Sequence, residues 1–248
     1  VRLGKKPARH DLRTLRLSKY LKALPAAGPF ADWTSAVQVP WGMDGNDKVG
    51  DCFWAMCAHA VMTWSANSGD IIVPTTDQVL EAYSAATGYN PSDPNSDQGT
   101  EMVAGLNFMR QTGIAGNKIG AYVAVDWKNH DEVMSALMLF GGLLIGVAFP
   151  QAWFNTHHWR GLPALSPIAG GHAIWSPRAI LSAPPVANDG LGIVSWGDGS
   201  YWMTWDALDQ FCDEMFVTLP PEWLNADGQA PNGLDIAALQ ADLVQVTA

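Results

Sequence analysis

The hydrophobic pattern changes character near residue 140, and that change limits the folds open to the chain. Before it, apolar residues recur at helical spacing. Helices are expected from Cys52 to about Asn67 and from Val79 to Ala86, the second capped by Thr75-Thr76-Asp77-Gln78. A third is expected over Glu101–Thr112 with Thr100 as cap, and a fourth is capped by Asp131 and runs to Leu139. Only residues 121–127 alternate as a strand there. After residue 140 short apolar runs take over: Leu143–Phe149, a strand opening at Gly170-Gly171-His172, then 178–182, Leu191–Trp196, Tyr201–Thr204 and Met215–Leu219. Gly197-Asp198-Gly199-Ser200 reads as a hairpin turn, and Asp206 caps a short helix to Cys212. Helices followed by strands imply an α+β fold of two lobes with a cleft between them.

The boundaries follow from the flanks. Residues 1–31 form an arm, with Pro7, Pro25, Gly28 and Pro29 opposing a long regular element. Residues 32–219 form the main domain, with a helical lobe over about 46–140 and a sheet lobe over about 141–219. Residues 220–248 are a C-terminal appendage: Pro220-Pro221, a polar turn, and a short acidic helix over Leu234–Val246.

Charge divides along the same lines. Residues 1–22 hold eight Lys/Arg and one acid, whereas the remainder holds six basic and 23 acidic residues. Such an arm either lies on its own acidic body or anchors to an acidic partner or a larger assembly. Tyr20 is the one aromatic residue among the basic ones, too few to make the interleaving that supports single-stranded nucleic acid binding.

Hydrophobic residues make up 48% of the 248 positions, enough for a sizeable core. Three cysteines, none in a paired C-x-x-C, supply neither a disulfide framework nor a metal site, so no cofactor is expected. The most apolar segment, Met138–Phe149, is short and holds three glycines, which argues against a membrane span. No signal-peptide pattern opens the chain, and the reading is a cytoplasmic, reducing compartment.

Cys52 stands where a polar, glycine-containing turn, Asn46 to Asp51, meets the first helix. The positive end of a helix dipole favours thiolate over thiol, so this is a place for a nucleophile. A small buried hydrophobe is the other reading of Cys52. Among the histidines, His10 lies in the arm, and His59 is two turns along the Cys52 helix, too far for a direct pair. His130 precedes a helix cap, and His157 and His158 lie in a loop. His172 follows two glycines that admit another chain or a substrate, and it is the best candidate base; a satisfied strand-start histidine is the alternative.

In order and spacing these residues resemble the papain-like cysteine peptidases. Asn46 stands six residues before Cys52, where that family has Gln. Gly-Gly-His172-Ala-Ile resembles its histidine segment, and Val194-Ser195-Trp196-Gly197 resembles its Asn-Ser-Trp-Gly except at the first residue. Asp32-Trp33 and Thr76-Asp77-Gln78 resemble its mature start and its second helix, so the likeness covers roughly 32–217. The Gly-Asn-Asp-x-x-Gly-Asp-Cys segment is also similar to proteins of phages and soil bacteria.

The resemblance implies a thiol hydrolase acting on peptide or amide bonds of a peptide or protein substrate. Cys52 would be nucleophile, His172 base and then acid, and Asn46 an oxyanion donor with the Cys52 N–H. Trp196 would shield the histidine, and Trp175 with the 150–168 loop would line the cleft. Gly99 and Met102 lie in the part of the chain where the family binds substrate backbone. Valine at 194 cannot hydrogen-bond an imidazole, which leaves Asp189, Asn188, Asp198 or a carbonyl to orient His172. This departure and the basic arm favour a second reading, a weakly catalytic or non-catalytic structural component of an assembly such as a phage particle. A cell-wall amidase of the CHAP type is a third, disfavoured by the long helical insert between Cys52 and His172.

Overall fold

A computed structural model describes residues 1–9, 11, 13–21, 28–219 and 235–247. His10, Lys22, Pro25 and the Pro220-Pro221 turn lie outside the described residues.

Helix α1, Cys52–Ser68, is the centre of the helical lobe. Its first twelve residues are all buried, so no side of that stretch faces water. Gly69, at positive φ, ends it. Helix α2, Thr76–Thr87, carries the expected capping box between Thr75 and Gln78. Helix α3 is Met102–Gln111 and has no side-chain cap. Thr100 does not cap it, because its hydroxyl accepts the Trp54 indole N–H at 2.9 Å. Helix α4, His130–Phe140, starts two residues earlier than expected, with Asn129 rather than Asp131 accepting the cap hydrogen bond.

Eight strands form one sheet: β1 Phe30–Asp32, β2 Ala121–Ala124, β3 Leu143–Pro150, β4 His158–Trp159, β5 Ile168–Ile180, β6 Gly190–Ser195, β7 Asp198–Thr204 and β8 Cys212–Leu219. The order is β2-β8-β3-β5-β6-β7-β4, with β1 added to β5. All pairings are antiparallel except the two-residue β4–β7 contact. Two strands expected at 170–175 and 178–182 are one strand, β5. Its pairing with β6 shifts between Trp175 and Arg178, so Pro177 falls where the ladder is already interrupted. The β6–β7 turn is shorter than expected. Trp196 (φ 50°) and Gly197 (φ 73°) make it, and Ser195 pairs with Asp198. Two positive φ angles match the twist of the flanking strands.

The last residues assigned to the arm are a strand, since Phe30–Asp32 pair with Ile180–Arg178. Helix α5 is Trp205–Phe211 and helix α6 is Ile236–Thr247. The latter docks back on the arm. Leu239 is buried, the Asp235 N–H donates to the Tyr20 carbonyl at 2.7 Å, and the Tyr20 hydroxyl donates to Asp242 at 2.6 Å.

Two apolar cores flank the sheet. Strand alternation divides neighbouring residues between them: Ile174 and Ile193 enter one core, while Ala173, Trp175 and Val194 enter the other beside Cys52, Phe53 and Trp54. The start of α1 therefore sits against the middle of β5 and β6. No described helix is long and apolar enough to cross a membrane.

Candidate active site

Cys52 is the first residue of α1, and its Sγ accepts the Ala173 N–H at 3.4 Å. The helix start in one lobe thus touches the strand in the other, one residue from His172. The imidazole of His172 is held on three sides. Nε2 lies 2.7 Å from Ser195 Oγ, the Trp196 indole stacks on the ring at 4.4 Å and 17°, and Phe149 meets it edge-on at 5.5 Å. Nδ1 is buried and has no hydrogen-bond partner, so sulfur and ring are not hydrogen-bonded to each other here.

Both groups are 1% exposed. Burial pushes the Cys52 thiol up to about 12, against the pull of the Ala173 and Gly4 N–H groups. Burial likewise pushes His172 down to about 3. In this state the pair is a neutral thiol and a neutral imidazole rather than an ion pair.

The arm causes part of that burial. Residues 2–6 run through the cleft as an extended segment bonded to both lobes. The Arg2 N–H donates to the Asn46 carbonyl at 2.8 Å, and the Trp196 indole N–H donates to the Arg2 carbonyl at 3.2 Å. The Gly4 carbonyl accepts from Thr100 N at 2.8 Å, Lys5 N donates to Gly171 O at 3.0 Å, and Lys6 N donates to Thr100 O at 2.9 Å. Gly4 must be glycine: a Cβ there would lie 1.9 Å from the Gly50 carbonyl oxygen. Gly171 admits the arm in the same way, since a Cβ there would lie 2.3 Å from the Lys5 carbonyl oxygen. The side chain of Lys5 descends beside Gly146 and Met102, and Nζ meets Asp213 at 2.9 Å and Glu214 at 3.1 Å.

Other expected site residues lie differently. Asn46 is buried near the cleft, but its Nδ2 donates to the Val49 carbonyl at 3.0 Å, so one amide hydrogen is held inside its own turn. Trp175 does not line the cleft. It is fully buried, donates from Nε1 to Thr63 Oγ1 at 2.9 Å and packs edge-on against Trp64. Strand alternation turns it into the helical lobe, as it does Val194. Asp189 is bonded to Ser182 and Val186, Asn188 to Arg160, and Asp198 to His157 and Ser200, so none of the three orients His172.

Sequence reasoning passed over Ser195, Lys5 and the Asp213–Glu214 pair. Ser195 could have been found: if Val194 packs inward on a strand, the next residue faces the other way, toward His172. Lys5 carried no signal, because its partner is 208 residues away. Asp51, just before Cys52, was also passed over. It is fully buried, and burial pushes its carboxyl up to about 8, against the pull of the nearby Asn46 amide and its own backbone N–H. Among the described residues no group of three or more His, Cys, Asp or Glu could hold a metal ion.

No family model matches the chain, and no curated protein matches it. Solved structures do. Xylellain, a cysteine protease from Xylella fastidiosa, superposes with a TM-score of 0.68 at 18% identity, over 88% of this chain and 96% of its own. Bromelain protease from Ananas comosus gives 0.57 at 13% identity, over 78% and 99%. Digestive procathepsin L 3 of Tenebrio molitor gives 0.55 at 10% identity, over 81% and 72%. With Cys52 heading the central helix and the His172–Ala173 stretch of β5 packed against that helix start, the chain has the papain-like fold of these cysteine proteases.

Proposed function

We propose that the chain is a thiol hydrolase acting on peptide or amide bonds, held closed by its own residues 2–6. The observation that carries this reading is the contact of the Cys52 sulfur with the residue next to an imidazole fixed by Ser195 and Trp196.

On opening of the cleft, water reaches the pair and the burial that keeps both groups neutral is relieved. Cys52 then passes its proton to His172 Nδ1 and attacks the substrate carbonyl carbon. The oxyanion takes hydrogen bonds from the Cys52 N–H at the helix start and from the Asn46 amide. His172 returns the proton to the departing amine, and water hydrolyses the thioester, which restores the thiol. Ser195 is the positioning residue for His172, and Trp196 covers the imidazole.

The test is hydrolysis of a fluorogenic peptide mixture by the intact protein, with Cys52→Ala and His172→Ala as controls. Turnover lost in both variants supports the reading; turnover unchanged in Cys52→Ala sinks it. The buried, neutral pair favours one second reading, a catalytically silent module in a larger assembly. That reading expects no turnover and no alkylation of Cys52 in the folded protein. Cytoplasmic or phage-particle placement and docking of residues 1–22 on an acidic partner extend these proposals. Lys5 is unavailable to such a partner, whereas Arg2, Lys6, Arg9 and Arg16 are exposed.

A further inference from the structure

Lys5 is a cation buried in a place built for one. Its side chain is fully buried, and both partners, Asp213 and Glu214, lie on β8. Two carboxylates face one ammonium. Asp213 Oδ1 and Glu214 Oε1 are buried and have no hydrogen bond, although Oε1 lies 3.1 Å from Nζ. The shaft of the pocket is Gly146, where a Cβ would lie 2.2 Å from Lys5 Cε and 2.8 Å from Met102 Sδ. An apolar shaft ending in acids matches a long aliphatic stem with a cationic head.

The pocket belongs to the cleft. Gly4 packs on Gly50, two residues before Cys52, and its carbonyl accepts from Thr100 N; Lys5, the next residue along, bonds Gly171, two residues before the Ala173 N–H that reaches the thiol. The backbone of Lys5 is held by Gly171 on one side and is flanked by two bonds to Thr100 on the other, as an extended peptide is held by strand pairing. A peptide that displaces the arm meets the same two backbone edges and the same acid pair. Left empty, the pair would be a buried Glu214 beside a part-exposed Asp213, with the Lys5 counter-charge removed.

We propose that the cleft selects a lysine or arginine side chain in the subsite now filled by Lys5, one residue from the position of Gly4, with Asp213 and Glu214 as the specificity-determining pair. This rests on the hydrolase reading for its use, but not for its test. The unpartnered oxygens provide acceptors for a guanidinium as well as an ammonium. The arm is then an internal copy of the preferred ligand.

Two measurements test the inference. In the first, the intact protein is treated with peptidyl vinyl sulfones bearing Lys, Leu or Glu one residue before the residue that carries the warhead, a position that meets the Lys5 subsite when the probe runs in the direction opposite to the arm. The Cys52 sulfur adds to the carbon–carbon double bond and a proton adds to the adjacent carbon, so modification is read by mass. The Lys probe is expected to react at least ~10-fold faster than Leu, with Glu slowest, and Glu214→Gln with Asp213→Asn should abolish the preference. A Leu probe that reacts as fast, or a preference that survives both substitutions, overturns the inference. The second measurement needs no chemistry at Cys52. In Lys5→Ala, or in Lys5→Met if the former does not fold, the Nα-acetyl N-methylamide of lysine should raise Tm dose-dependently, and that of norleucine should not. Equal or absent shifts overturn the subsite. Failure of every probe to label folded protein sinks the hydrolase reading, while the thermal shift still decides the subsite.

Discussion

His172 Nε2 and Ser195 Oγ lie 2.7 Å apart, both side chains buried, where the papain-like pattern would put an asparagine at position 194. The orienting contact has moved by one residue along β6 and to the other face of the strand.

Ser195→Ala leaves the fold in place and frees the imidazole to turn. In the opened enzyme kcat should fall roughly 10- to 100-fold with little change in KM, the signature of lost orientation rather than lost binding. The alkaline limb of Cys52 alkylation should also move, because the thiolate loses an aligned partner. Unchanged kcat and an unchanged pH profile would give Ser195 a packing role only.

Gly4→Val places a side chain against the Gly50 backbone and expels the arm from the cleft. Iodoacetamide should then modify Cys52 at least ~10-fold faster than in the wild type, since access and thiolate fraction rise together. Cys57 is buried in the helical core and should remain slow, whereas Cys212 stands beside Asp213, the partner of Lys5. Equal rates at all three sites in both proteins would mean that the arm does not guard the thiol.

Asp51 sets a pH dependence of stability. Burial raises its folded pKa to about 8, whereas an unfolded aspartate titrates near 3.9. The folded chain therefore keeps a proton that the unfolded chain has released, and stability falls as pH rises toward 8. Above about 6.5 the buried His172 and His59 no longer contribute, because histidine is neutral in the unfolded chain too. Denaturant titrations at pH 6.5 and 8.5 should show the wild type losing on the order of 1 kcal/mol per pH unit. Asp51→Asn should lose less, with Glu214, pushed up to about 7 by burial, and the three buried thiols, held protonated while unfolded thiols ionise at about 8.5, supplying the rest. Parallel pH profiles for the two proteins would contradict this.

Thr75→Ala removes one half of the α2 capping box, in which the Thr75 hydroxyl accepts from Gln78 N. The expected loss is about 1 kcal/mol in global stability with Cys52 reactivity unchanged, which separates a helix-end effect from a site effect.

The sequence carried much of the fold because its strongest signals are local. Cys52 at the helix start, the Thr75 box and the apolar run from Leu143 each depend on residues within one or two turns. The missed features depend on distance. Phe30–Asp32 becomes a strand only because the β5 edge is there to pair with it. Lys5 reads as one of eight basic arm residues until β8 presents two acids. Trp175 was assigned to the wrong side by its nearness to His172. Position along a strand says little about a cleft until the parity of the residue is used: His172 faces Ser195, and Trp175, three residues on, faces the helical core.

The segment over Cys52 is covalently part of the protein, and that changes how occupancy of the cleft is counted. A tethered ligand competes at an effective concentration that does not fall on dilution, of millimolar order for a short flexible connection. A free peptide binds only the fraction of molecules whose arm has left, so its apparent affinity is weakened by that fraction. Control of the site then lies partly outside it. The pairing of Phe30–Asp32 with β5, and of Tyr20 with the last helix, shortens the effective tether and holds the competitor close. Loosening either anchor lowers that local concentration without altering any atom of Cys52 or His172.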